Sequence, residues 1–163
     1  MTSVPVVASV LPDARQVKWD LRFLRIAREV SAWSYDPSTK CGAVIVDTAN
    51  NIVATGYNGF PKNTSDSEEL YGDRERKYQR IIHCEMNALL RARCDLTGHT
   101  LYTWPFISCD RCSVHVIQSG ITRCVAPEPT PYVIERWGPA IAFSRSIFEE
   151  AGVALTIYGP ELV

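Results

Sequence analysis

Between residues 17 and 34, Val17, Leu21, Leu24, Ala27, Val30 and Ser31 recur at three- and four-residue intervals, and Phe23 and Ile26 widen the stripe. This spacing predicts an amphipathic helix over 17–34 with one face turned to a core. Asp36-Pro37 is expected to stop it, because the residue before a proline is pushed out of helical geometry. The period then changes. Two short β-branched runs, 43–46 and 52–55, flank Asp47-Thr48-Ala49-Asn50-Asn51, a pattern that predicts a hairpin.

A long polar segment runs from Gly56 to about Gln79 and carries two charge-rich stretches, 65–69 and 73–77. A loop of that length is either a functional or mobile segment, or a solvated insertion with a short helix. Beyond it the pattern predicts a helix over 84–93, a strand over 101–103, and a helix over 109–119 ended by Gly120. A strand at 122–125 leads into a bend rich in proline (Pro127, Pro129, Pro131). A helix around 140–150, ended by Gly152, and a strand at 154–157 follow. A hairpin followed by strand–helix alternation predicts an α/β fold, its mixed sheet covered by helices on both faces. No repeat, low-complexity tract or linker divides the chain. We expect one domain over 1–163, with 1–15 a loosely ordered N-terminal segment.

Composition adds exclusions. Hydrophobic residues make up 46% and charged residues 21%, and a net charge of −1 lacks the overall basic excess that marks a polynucleotide partner. The six cysteines are spread through helices and strands, which argues against a disulfide framework. Residues 1–12 lack a basic leader, and no apolar run approaches the ~20 residues of a membrane span. The expected location is the cytoplasm, with no membrane partner.

The chemistry concentrates in His83-Cys84-Glu85 and in Cys109-Asp110-Arg111-Cys112. Zinc favours imidazole and thiolate ligands, and a catalytic zinc keeps one position open. His83, Cys109 and Cys112 offer three ligands, and Glu85 is a carboxylate beyond that set. Together they describe a hydrolytic centre better than a structural one. The alternatives are a zinc clip in a non-enzyme, or ligands that never meet in space. Cys84 is the obvious fourth ligand for a closed site, but its place beside His83 on a helix directs it away, into the core. Cys41, Cys94 and Cys124 are most simply buried hydrophobes, and His99 and His115 lack ligand-like spacing.

The H-x-E and C-x-x-C pair matches the signature of zinc nucleobase deaminases. On a cytosine ring, activated water would attack C4 while Glu85 carries protons to ring N3 and to the leaving amine. Further motifs extend the likeness: Asp36-Pro37-Ser38-Thr39, Gly42-Ala43-Val44-Ile45-Val46, Gly56-Tyr57-Asn58-Gly59-Phe60-Pro61, Asn87-Ala88 and Ile117-Gln118-Ser119-Gly120-Ile121. With these, the chain resembles the deoxycytidylate deaminase family from about residue 20 to 157.

The resemblance implies a three-layer α/β/α fold with a mixed sheet of about five strands. It further implies one catalytic Zn²⁺, conversion of dCMP to dUMP and ammonia, and a homohexamer. It also implies activation by dCTP and inhibition by dTTP with Mg²⁺. On this basis Asn58 contacts the sugar, and Tyr57, Gly59, Phe60 and Lys62 line a substrate or effector loop. Arg111 and Lys62 are the candidates for a phosphate contact; Trp104, Phe106 and Tyr132 either stack on the base or pack in the core. The chain departs from the family pattern at Ser108, which replaces a proline, in one extra residue between Tyr102 and Cys109, and at Trp33, where relatives carry a basic residue. Two further classes stay open: deamination of another cytosine nucleotide, nucleoside or nucleic-acid base, and a non-catalytic, zinc-stabilised nucleotide-binding protein.

Overall fold

The computed structural model describes residues 12–163, so most of the expected loose segment, 1–11, lies outside the described residues. Helix α1 (Ala14–Ser31) starts where a cap is available: the Asp13 carboxylate accepts from the Gln16 amide at 2.7 Å. Such a cap stabilises a helix by about 1 kcal/mol. The helix therefore begins before residue 17, inside the segment expected to be loose. It also ends before Asp36-Pro37, at Ala32, whose N–H bonds back to Glu29 and Val30.

Strands β1 (Gly42–Val46) and β2 (Ile52–Tyr57) form the expected antiparallel hairpin. The polar segment holds two short helices, α2 (Glu68–Gly72) and α3 (Arg74–Arg80), capped by Ser67 and Asp73. Helix α4 (Cys84–Arg91), β3 (Thr100–Trp104), α5 (Asp110–Gln118) and β4 (Arg123–Pro127) follow. Helix α6 (Pro131–Glu150) and β5 (Ala154–Tyr158) complete the chain.

The prolines expected to form a bend instead start α6, nine residues ahead of the expected position. Thr130 caps it and Pro131 occupies its first turn, where the missing N–H costs nothing. Pro139 is accommodated inside the helix.

The sheet order is β2-β1-β3-β4-β5, with β1 antiparallel to β2 and β3 and the last three strands parallel. Alternation along β1 builds the layers. Val44 and Val46 face Phe23, Leu24 and Ala27 of α1. Ala43 and Ile45 face the opposite core with Cys84, Ala88, Val116 and Phe148, from α4, α5 and α6. The result is the expected three-layer α/β/α arrangement around a five-stranded mixed sheet. Two glycines set its close approaches. A Cβ at Gly42 would meet the Ala27 carbonyl of α1 at 2.1 Å, and one at Gly56 would meet the Cys84 carbonyl of α4 at 2.3 Å.

A polar network crosses the α1 layer. Asp20, fully buried, accepts from Arg123 at 2.8 and 2.6 Å, from Tyr102 at 2.8 Å and from Tyr158 at 2.7 Å. It fastens the first helix to β3, β4 and β5 through one carboxylate.

Candidate active site

Helices α4 and α5 begin with His83 and Cys109 as their caps, both in extended backbone geometry. Neither side chain makes a capping hydrogen bond. They turn to each other instead: His83 Nδ1 lies 3.3 Å from Cys109 Sγ and 3.4 Å from Cys112 Sγ, one turn into α5. The three ligand atoms all fall within 4.8 Å of one another. Two helix N-termini thus converge, and their unpaired N–H groups favour thiolate charge there.

The donor set shares its protons tightly. The Cys112 hydrogen bond, aided by His83 and opposed by burial, holds the Cys109 thiol down to about 4. The same contact, with burial, pushes the Cys112 thiol up. His83 is raised to about 8 by its bond to Cys109, against the opposing effect of burial. One thiolate, a second thiol and an imidazole in a triangle fit a borderline-soft dication that displaces the remaining protons. Cys84 does not close the set. Its Sγ donates to Glu85 Oε2 at 3.2 Å, and burial raises its thiol well above the ordinary range. The three ligands therefore fit zinc with a position left over.

Glu85 is buried, at 5% exposure, and forms no ion pair among the described residues. It lines one cavity together with His83 and Cys109. Trp104 at the end of β3, Phe106 just beyond it and Trp137 from α6 supply aromatic walls. On another side Lys77 Nζ sits 3.0 Å from Asp36 and 3.1 Å from Ser38 Oγ, and all three residues line the cavity. The charge-rich polar segment thus contributes a buried lysine to the cavity wall, which makes it more than a solvated insertion.

Asn58 lines the same cavity, where the resemblance puts the sugar contact. Its Oδ1 accepts from the Cys41 amide at 2.7 Å, and its Nδ2 donates to the Thr39 carbonyl at 2.9 Å. Its amide thus holds the 36–41 loop.

Tyr57, Gly59, Phe60 and Lys62 line a second cavity, together with Tyr71 and Arg91. Phe60 stacks on Tyr71 at 4.1 Å between ring centroids, and the Arg91 guanidinium lies 5.2 Å from the centre of the Tyr57 ring. Gly59 and Ile82 exchange backbone hydrogen bonds of 3.1 and 2.9 Å, which pins this loop one residue ahead of His83.

Other expected residues fall elsewhere. Arg111 is exposed and does not line the first cavity, and neither does Tyr132. Lys62 belongs to the second cavity. Cys94, expected as a buried hydrophobe, is exposed, and Cys41 is half-buried on the wall of the first cavity. Ser108, which stands where the resemblance expects a proline, is buried, and its Oγ has no partner among the described residues. Sequence reasoning missed the Asp36–Lys77 pair and the Arg136-Trp137 edge of the cavity. For the pair, the polar residue inside a charge run carried no apolar signal; for the edge, the helix start hidden among prolines was the available clue.

The chain is similar to known deaminases over most of its length. A model of the cytidine and deoxycytidylate deaminase zinc-binding region matches residues 17–128. The chain is 42% identical over 139 residues to an uncharacterized deaminase from the luxG 3′ region of Aliivibrio fischeri, covering 85% of this chain and 92% of that one. It is 31% identical over 153 residues to the Homo sapiens deoxycytidylate deaminase, covering 89% and 82% of the two chains. The dCMP deaminase of cyanophage S-TIM5, solved with dCMP and dUMP, superposes with a TM-score of 0.67 at 18% identity over 90% of this chain and 99% of that one; this likeness shows the fold. The chain belongs to the deoxycytidylate deaminase family.

Proposed function

We propose that this enzyme deaminates dCMP hydrolytically to dUMP and ammonia at one zinc held by His83, Cys109 and Cys112. The observation that carries the proposal is the three-donor triangle sharing a cavity with the buried Glu85 carboxylate. Zinc, when bound, supplies a Lewis acid that activates water at neutral pH. Glu85 would accept one proton from the attacking water and pass it to N3 of the base, then move the proton of the new C4 hydroxyl to the departing amine, so that ammonia leaves as the C4 carbonyl forms. Burial among Trp104, Phe106 and Trp137 excludes bulk water and offers flat faces to the ring. Asn58 receives the sugar, and the Asp36–Lys77 pair keeps the wall beside it closed.

The second cavity supports an effector role for Tyr57, Gly59, Phe60 and Lys62. In this proposal dCTP activates and dTTP inhibits with Mg²⁺, in a cytoplasmic homohexamer that supplies dUMP for thymidylate synthesis. No helix among the described residues is long and apolar enough to cross a membrane.

The deciding experiment measures ammonia release from dCMP, CMP, dCTP, deoxycytidine and cytosine, each with and without dTTP. The expected result is preferred turnover of dCMP, with sigmoidal kinetics that steepen with dTTP. Preferred turnover of deoxycytidine or cytosine rejects the substrate, and hyperbolic curves unmoved by triphosphates reject the regulation.

A further inference from the structure

We propose that Arg136, at the edge of the cavity, is the residue that selects a phosphate monoester over the free nucleoside. The inference rests on the nucleotide-deaminase reading and assigns to it a determinant on helix α6. Arg136, Trp137, Ala140 and Ile141 all line the cavity. Spaced one turn apart in two i, i+4 pairs, they show that a single face of α6 closes this side.

Charge accounting singles out the arginine. Besides His83, the lining cations are Lys77 and Arg136. Lys77 is buried and neutralised by Asp36 at 3.0 Å. Arg136 is exposed, and among the described residues it has no carboxylate partner. Its guanidinium is instead held over two rings, 5.3 Å from the centre of Tyr132 and 5.7 Å from that of Trp137. It donates to the Tyr132 hydroxyl, and Tyr78 of α3 lines the same cavity.

An arginine carries five N–H donors in a planar fork suited to phosphate oxygens, and one hydroxyl leaves most of them free. The cation is thus oriented by aromatic contacts and left uncompensated. It stands at the exposed edge of a cavity that also holds buried Glu85. A nucleotide with its base beside Glu85 would present its phosphate toward that edge. Arg111 and Lys62, the cations expected from the sequence, do not line this cavity.

The test is calorimetric binding of dUMP, deoxyuridine and inorganic phosphate to wild-type, Arg136→Ala and Arg136→Lys protein, at one fixed salt concentration. Wild-type protein is expected to bind dUMP at least tenfold tighter than deoxyuridine. Arg136→Ala weakens dUMP by about 10- to 100-fold, the range for a hydrogen bond to a charged group, and leaves deoxyuridine within about twofold. Arg136→Lys restores part of the loss, since it keeps the charge without the fork. Because the side chain is exposed, Arg136→Ala should melt like wild type; if it does not, Arg136→Gln takes its place.

The proposal is overturned if wild-type protein binds dUMP no tighter than deoxyuridine. It also falls if the variant loses both ligands equally, or if it keeps its dUMP affinity. None of these readouts needs turnover, so failure of the deaminase reading in the ammonia assay is separable from failure of this one.

Discussion

Lys77 Nζ lies 3.0 Å from the Asp36 carboxylate, with both side chains more than nine-tenths buried on the cavity wall. The pair joins α3, in the polar segment, to the loop after α1. Removing one partner of a buried ion pair strands the other charge. Lys77→Ala is therefore expected to cost about 3 kcal/mol in urea unfolding and to lower dCMP turnover together with stability. A loss below about 1 kcal/mol would show that the pair is effectively solvated.

Asp20 makes stability depend on pH. Burial works to raise its pKa, but the hydrogen bond from Arg123, with those from Tyr158 and Gln16, outweighs it and leaves the carboxyl below its ordinary 3.8. A depressed folded-state pKa contributes stability that is present above the unfolded value and lost as pH falls through the folded one. Urea midpoints should fall as pH drops below about 4, and Asp20→Asn should flatten that decline. An unchanged slope in the variant would assign the acid sensitivity to other carboxyls. Arg123→Ala, which takes the counter-charge from the buried Asp20 carboxylate and leaves it only neutral donors, is expected to cost about 3 kcal/mol.

Asn58 has a role that activity alone does not resolve. Its amide ties Cys41 and Thr39, so Asn58→Ala should weaken folding by about 1–3 kcal/mol and raise KM for dCMP. A rise in KM with stability unchanged would confine Asn58 to ligand contact. Unchanged stability and kinetics would remove it from both roles.

The distances between partners explain what was visible in the chain. The strand pair around residue 50 and the helix of 14–31 carry local periodicities, so their existence was legible and only their ends shifted. The candidate metal set was legible because each helix start brings its own potential ligands, at i and i+3 in the case of Cys109 and Cys112. Asp20 and Arg123 stand far apart in sequence, and nothing local marks either as buried. Lys77 sits inside a charge run that reads as solvated. Helix α6 was shortened because Pro127, Pro129 and Pro131 resemble a bend, although Pro131 after Thr130 is also a start signal. That error concealed Arg136 and Trp137, which take on meaning only when α6 folds over the cavity.

Metal binding should depend on the triangle as a unit. Cys109→Ala or Cys112→Ala removes one of three donors, and elemental analysis after dialysis is expected to find well under one zinc per chain. Chelation of wild-type protein should abolish deamination, with recovery on adding zinc. Stoichiometric zinc retained by either variant would disprove the ligand assignment.

The central claim is that His83, Cys109 and Cys112 hold the metal while Glu85 moves the protons. Zinc content and dCMP turnover, measured side by side on wild-type and Glu85→Ala protein, test it most directly. The account predicts about one zinc per chain in both. It also predicts turnover by the variant reduced by at least about 100-fold, the scale of a lost acid–base group. A zinc-replete Glu85→Ala protein that deaminates dCMP within tenfold of wild type would contradict it.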